Sequence, residues 1–284
     1  MMVLIRTIVF TLAVMVSLPS MAQAQSDGKH ALLFSKSTGF EHQPVSEKNG
    51  TPNQVAGVLG KLFETRGITF TASKDAGILN AKDLAKFSLI VFYTQGDFSV
   101  PGVDGAPSMN PGGVEALVEW IHNGGGFVGY HSATDTLRSN ANEPATLFTK
   151  TIGAAFLSHG RQFRGTVRVV DSKHPTMRNI PDGLDLLDEW YLFQQMNTED
   201  IHVLATLEPG PEREKQAQYD VASYPIAWCR ELGQGRVFYN AMGHRADVWE
   251  NEVFLNSLED AIDWAGGKGA SGAKPNYDKV VGSD

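Results

Sequence analysis

Gly113-Val-Glu-Ala-Leu-Val-Glu-Trp-Ile-His-Asn-Gly-Gly-Gly-Phe-Val-Gly-Tyr-His-Ser-Ala-Thr-Asp135 reads as helix, stop, strand and loop in succession. Val114, Leu117, Val118 and Ile121 recur at helical spacing, and the glycines at 124–126 end the helix. Phe127 to Tyr130 is then a short apolar run of strand type. The chain leaves it as His131-Ser-Ala-Thr-Asp135, at the strand-to-loop position where parallel sheets hold ligands.

The same alternation extends outward from this unit. Upstream, His30–Ser35 and Ser88–Tyr93 are apolar strand runs, the latter expected to be buried on both faces. Between them a helix starts at Thr51-Pro52, carries Val55, Val58, Leu59, Leu62 and Phe63 on one face, and stops at Gly67. A second strand covers Ile68–Ala72, and Leu84 and Phe87 sit in a short helical turn. This βαβ succession predicts an α/β protein with a parallel sheet. Between Gly153 and Ala222 the pattern changes to alternating runs such as Thr166–Val170 and Ile201–Thr206, expected as antiparallel strands added to or folded over that sheet. Pro225–Cys229 and Arg236–Asn240, joined across 233–235, read as a hairpin that delivers Gly243-His244 to a loop, and a last helix spans Val253–Trp264. Beyond Gly266 the Gly/Lys/Ser-rich residues 267–284 read as a disordered tail.

Arg6, the apolar run Thr7–Leu18 and the triplet Ala22-Gln23-Ala24 form a signal peptide over residues 1–24, with cleavage expected after Ala24. The mature protein is therefore expected to be periplasmic or secreted, as one α/β domain over residues 25–266. No later apolar run reaches the roughly 20 residues that a membrane helix needs. The formal net charge is −8 with Lys and Arg scattered along the chain, which argues against nucleic-acid partners. Cys229 is the only cysteine, so no intramolecular disulfide forms, and its apolar strand context reads as a buried, inert thiol. Homo-oligomerisation is left open.

Several histidines and acids fall at loop positions after strands instead of on periodic core faces: His42, His131, Asp135, His159, Glu189 and His244. Such groups brought together would suit acid-base or metal chemistry. Asp135 lies where it would orient the His131 imidazole if the segment turns helically, or cap the following turn. Glu189 precedes Trp190 and Tyr191, an acid-aromatic combination suited to sugars, with Glu189 as general base; Trp190 reads equally as core, and Asp188 as a solvated neighbour. His244 is followed by Arg245. No H-x-x-x-H or H-E-x-x-H pair occurs, so a divalent metal would depend on long-range convergence and stays open, as does the cofactor question generally. The glycine runs at 112–113 and 124–126 do not have the spacing of phosphate loops.

Thr38-Gly39-Phe40-x-His42, Gly124-Gly-Gly-Phe-Val-Gly-x-His131-x-Ala-Thr-Asp135, Ser158-His159, Asp188-Glu-Trp-Tyr-x-Phe193, Pro225-Ile-Ala-Trp228 and Gly243-His244 occur in that order. In this the chain resembles the ThuA-like, trehalose-utilisation family over roughly Ala31 to Gly266. The resemblance implies a fold similar to class I glutamine amidotransferases: a flavodoxin-like parallel sheet with antiparallel additions. Amidotransferase chemistry is not implied, because Tyr130-His131 stands where those enzymes place a nucleophilic cysteine, and Gly129-Tyr-His-Ser-Ala does not fit the G-x-S-x-G of serine hydrolases. What is implied is a small-molecule sugar substrate, a disaccharide or 3-keto-glycoside, cleaved or isomerised by general acid/base catalysis. His131, Glu189, His244 and Asp135 are the expected catalytic groups, and His42, His159, Trp190, Tyr191 and Arg245 the expected sugar contacts. Two other readings stand beside it: a non-catalytic periplasmic carbohydrate-binding or accessory protein, and a metal-dependent hydrolase.

Overall fold

The apolar runs pair into one nine-stranded sheet in the computed structural model, which describes residues 29–282. Residues 1–28, on which the signal-peptide expectation falls, and 283–284 lie outside the described residues. In chain order the strands are β1 (His30–Phe34), β2 (Thr69–Ser73), β3 (Leu89–Phe92), β4 (Gly126–Tyr130), β5 (Ala155–His159), β6 (Phe163–Val169), β7 (Leu184–Asp188), β8 (Tyr191–Gln194), β9 (His202–Glu208), β10 (Tyr224–Leu232) and β11 (Gly235–Asn240). The helices are α1 (Gln54–Thr65), α2 (Ala81–Leu84), α3 (Gly113–His122), α4 (Leu147–Ile152), α5 (Glu212–Lys215), α6 (Glu252–Ala265) and α7 (Tyr277–Val280).

The sheet runs β2-β1-β3-β4-β11-β10-β9-β6-β7. Its first five strands are parallel, in the order of flavodoxin-like folds. From β11 onward each neighbour is antiparallel. The reason lies in the strand composition: Leu89–Phe92 and Gly126–Tyr130 are apolar throughout and buried along their whole length, as strands covered on both faces must be. The hairpin β10–β11 turns at Gly233 and Gln234, pairing Trp228 with Tyr239, and lays β11 parallel to β4. The middle third divides in two. β6, β7 and β9 extend the main sheet, whereas β5 and β8 pair with each other in a separate two-stranded sheet.

α1 begins where the Asn53 side chain accepts the Ala56 N–H, and Arg66 at its end is tied to α6 through Glu259 at 2.8 Å and Asp263 at 2.6 Å. Among the described residues no helix is long and apolar enough to cross a membrane.

The segment after Gly266, expected to be free of structure, is placed against the sheet instead as far as Gly282. The Asn276 side chain accepts the Val203 N–H at 2.6 Å and donates to the Val203 carbonyl at 3.0 Å, standing in for a missing strand neighbour at the start of β9. His202 Nδ1 meets the Lys274 carbonyl at 2.6 Å, and Trp264 Nε1 donates to Ser271 at 2.7 Å. Composition registers apolar burial and misses such side-chain clasps onto backbone. Replacing Asn276 by Ala is expected to lower the free energy of unfolding by about 1–2 kcal/mol, since both Val203 groups lose a partner. Chemical denaturation checks this, and an unchanged midpoint would contradict the docking.

Candidate functional site

Three strands of the parallel sheet deliver histidines to its carboxyl edge. The loop after β1 carries His42, β4 runs directly into His131, and the turn after β11 carries His244. Glu189 follows β7 and so reaches the same place from the antiparallel extension. One ligand atom from each of His42, His131, Glu189 and His244 lies within 4.8 Å of the others.

His131 is the fixed point of the group. Its φ of +42° lies in the left-handed region, a conformation that costs a non-glycine residue about 1–3 kcal/mol. The Tyr239 hydroxyl holds the strained turn by donating to the His131 carbonyl at 2.7 Å. His131 Nδ1 faces the Ala241 carbonyl at 3.0 Å. A carbonyl only accepts, so Nδ1 carries the proton and Nε2 turns a lone pair to the centre, the arrangement usual for a metal-ligating histidine. From Nε2 it is 3.2 Å to His244 Nδ1 and 3.6 Å to Glu189 Oε2, and these two are 3.1 Å apart. Donor atoms roughly 2.0–2.1 Å from one ion at tetrahedral angles stand about 3.3–3.4 Å apart, so the triangle has the size that a zinc-like ion requires. His42, nearly buried, closes the group, its ring edge-on to His131 at 4.9 Å and to His244 at 5.2 Å.

Electrostatics agree with this donor set. Burial, reinforced by the His131 and His244 imidazoles, holds the His42 pKa well below the ordinary histidine value, so its ring is the neutral form that a ligand must be. Burial alone would raise the Glu189 carboxyl, but the adjoining His131 and His244 imidazoles outweigh it and hold the group below the usual carboxylate range. A carboxylate held in its charged form is suited to ligating a cation. Among the described residues neither Glu189 nor the fully buried Asp188 forms an ion pair with Lys or Arg. Two adjoining buried carboxylates call for a cation.

Asp188, read from the sequence as solvated, is instead the anchor of the site. Its Oδ1 accepts the N–H groups of Glu189 at 2.9 Å and Arg245 at 3.2 Å, and its Oδ2 accepts Gly243 N–H at 2.7 Å. The opposite side of that turn is held by the Tyr93 hydroxyl and Trp249 Nε1, which donate to the Gly243 carbonyl at 2.8 and 2.9 Å. Gly243 itself has φ +110°, and a Cβ there would sit 3.2 Å from Trp249 Nε1, so this position requires glycine.

The remaining expected site residues are placed unevenly. His159, opposite Tyr191 in the β5–β8 pair, brings Nδ1 to 3.1 Å from Glu189 Oε1 while its side chain stays 42% exposed. Tyr191 is almost buried, its ring centroid 4.2 Å from that of His131, and packs under the centre. Arg245 is held by Asp247 and by Gln162 at the mouth of a cleft of about 370 Å³ that is also lined by Phe40, Gln43 and His244. Two expectations are corrected. Asp135 does not orient His131: its carboxylate pairs with Arg138 and accepts Gln95 Nε2 at 3.0 Å, because His131–Asp135 forms a 3₁₀ turn that sends the two side chains apart. Gln95 Oε1 in turn accepts the N–H groups of Gly39 and Phe40, so Asp135 acts on the loop bearing His42. Trp190 is fully buried with Nε1 donating to the Phe163 carbonyl at 3.1 Å, and offers no surface to a sugar.

In a titration of the metal-free protein with Zn²⁺, His131→Ala and Glu189→Gln are each expected to weaken binding at least about tenfold, and Asp188→Asn by about 10–100-fold although it touches no ion. Unaltered affinity in His131→Ala would remove the site from these residues.

No curated protein sequence matches the chain. In structure it is similar to a ThuA-like protein from Bacteroides uniformis, 20% identical with a TM-score of 0.66 over 87% of this chain and 96% of that one. It is also similar to a ThuA-like protein from Parabacteroides merdae, 16% identical with a TM-score of 0.60 over 88% and 96%. A cytoplasmic protein from Salmonella typhimurium, 13% identical, shares the fold at a TM-score of 0.53 over 83% of this chain and 98% of that one. The family model ThuA, described as trehalose utilisation, matches residues 30–265, and with that span the chain belongs to the ThuA family.

Proposed function

We propose that this chain is an exported enzyme acting on a disaccharide or a 3-keto-glycoside at a divalent cation held by His42, His131, Glu189 and His244. The observation that carries the reading is the convergence of three imidazoles and one carboxylate, drawn from four separate segments, within 4.8 Å. Export rests on the leader in residues 1–24, and the sugar substrate on the family's description.

A cation bound there supplies Lewis-acid polarisation of a carbonyl or hydroxyl oxygen. The protein's own part in this reading is proton transfer, which we assign to His159, expected from the sequence only as a sugar contact. Its Nδ1 faces two acceptors, Glu189 Oε1 at 3.1 Å and the Gly160 carbonyl at 2.9 Å. Nδ1 therefore holds the proton, and Nε2 keeps a free lone pair on a side chain open to solvent. A ketone at C3 of a sugar acidifies the C2 proton. His159 Nε2 removes that proton and returns it either to the departing glycosidic oxygen, which gives cleavage, or to the enediolate, which gives isomerisation. Glu189 contributes to both halves of the site, with Oε2 turned to the histidine cluster and Oε1 orienting His159. Tyr191, stacked on His159 at a centroid distance of 5.8 Å, keeps that imidazole in place.

Chelation is expected to abolish turnover of 3-keto-trehalose, and added Zn²⁺ or Mn²⁺ to restore it. His159→Ala is expected to retain the metal and lose about 10²–10⁴-fold in kcat. Turnover indifferent to chelation would refute the metal centre. Sugar binding without any turnover or C2 proton exchange in the metal-loaded protein would make it a carbohydrate-binding protein instead.

A further inference from the structure

Phe40 is the most exposed large apolar side chain described, at 61% of its accessible surface, and it stands at the rim of the site. Its place is built. The Phe40 N–H and that of Gly39 both donate to Gln95 Oε1, at 2.9 and 2.8 Å, and Gln95 is held from behind by Asp135. The ring meets the His42 ring edge-on at 4.9 Å. On its open side the ring lines the 370 Å³ cleft shared with Gln43, Gln162, His244, Arg245 and Asp247. The rest of the lining is mostly polar and interlinked: Arg245 Nε and Nη2 donate to the two Asp247 oxygens at 2.9 Å each, and Nη1 donates to Gln162 Oε1 at 2.8 Å.

An exposed aromatic ring in one cleft with carboxylate, guanidinium and amide groups matches a pyranose, which presents C–H groups on its faces and hydroxyls around its rim. The cleft adjoins the metal-binding cluster through His244 alone, since neither His131 nor Glu189 lines it. A ring seated there lies beside the reacting ring. Its volume is near the lower end of the roughly 300–1,000 Å³ typical of ligand pockets, enough for one small group.

Resting on the sugar-enzyme reading above, we infer that this cleft is the subsite for the second ring of a two-ring substrate, with Phe40 as its stacking platform and the Arg245–Asp247–Gln162 wall reading its hydroxyls. The chain is thereby selective for disaccharides over monosaccharides of the same oxidation state.

The test compares wild type, Phe40→Ala and Phe40→Trp, each loaded with Zn²⁺ and assayed for metal content, using C2 proton exchange in 3-keto-trehalose and in 3-keto-glucose. Phe40 is exposed, so its replacement leaves the fold intact. Phe40→Ala is expected to raise KM for the two-ring substrate about three- to tenfold, with kcat, metal content and the one-ring KM unchanged, and Phe40→Trp to keep the wild-type preference. Equal KM values in Phe40→Ala and wild type, or an equal loss for both substrates, would overturn the subsite and leave the sugar-enzyme reading standing. Failure of the wild type to exchange either substrate would overturn both.

Discussion

Asp188 donates nothing and accepts three backbone hydrogen bonds, and through them it joins the two halves of the molecule. Its own strand, β7, is the far edge of the antiparallel extension, whereas the turn it grips follows β11 in the parallel core. Glu189 and His244, one on each side of that grip, are thereby set 3.1 Å apart. The grip is costly, since burial pushes the Asp188 carboxyl up and no Lys or Arg forms an ion pair with it among the described residues. Hydrogen bonds to its charged form offset part of that cost, and a cation in the neighbouring cluster would offset more.

The division of labour follows from topology. Parallel strands end together at one edge, so loops from β1, β4 and β11 meet without any local sequence motif, and all three histidines come from them. The acid comes from the part of the chain that the flavodoxin-like core does not contain. His131 occupies the strained turn after β4, the position at which the resemblance to amidotransferase-like folds would have led one to look for a cysteine nucleophile, and an imidazole there offers no thiol for covalent attack. The single thiol, Cys229, is buried in β10, and burial pushes its pKa up, which makes it unreactive. Shared fold with unshared chemistry is the rule for such scaffolds.

What could be read in the sequence was what periodicity and punctuation encode. α3 spans the predicted Gly113–His122, and the hairpin that presents His244 pairs as expected. His42, His131, Glu189 and His244 were legible, with Asp135 and His159, as titratable groups at loop positions after strands, and it was the family pattern that raised His42 above an ordinary loop histidine. Asp188 was not legible, because its function is to accept backbone N–H groups that only the folded chain brings near. Asp135 misled because an acid four residues on suits a helical turn, and the 3₁₀ turn that forms turns its carboxylate toward Gln95 and Arg138. Trp190 could not be told from a sugar platform without knowing its burial, while the exposed aromatic, Phe40, passed as part of a polar loop. The separate β5–β8 pair was hidden by the same ambiguity of short alternating runs, and with it the approach of His159 to Glu189.

The central claim is that four side chains from four segments hold one divalent ion. Anomalous diffraction at the zinc edge from a zinc-soaked crystal addresses it directly. The account predicts one strong peak within bonding distance of His131 Nε2, His244 Nδ1, a His42 ring nitrogen and a Glu189 carboxylate oxygen. Absence of that peak at full zinc loading, or a peak elsewhere with the four side chains still hydrogen-bonded to one another, would contradict it.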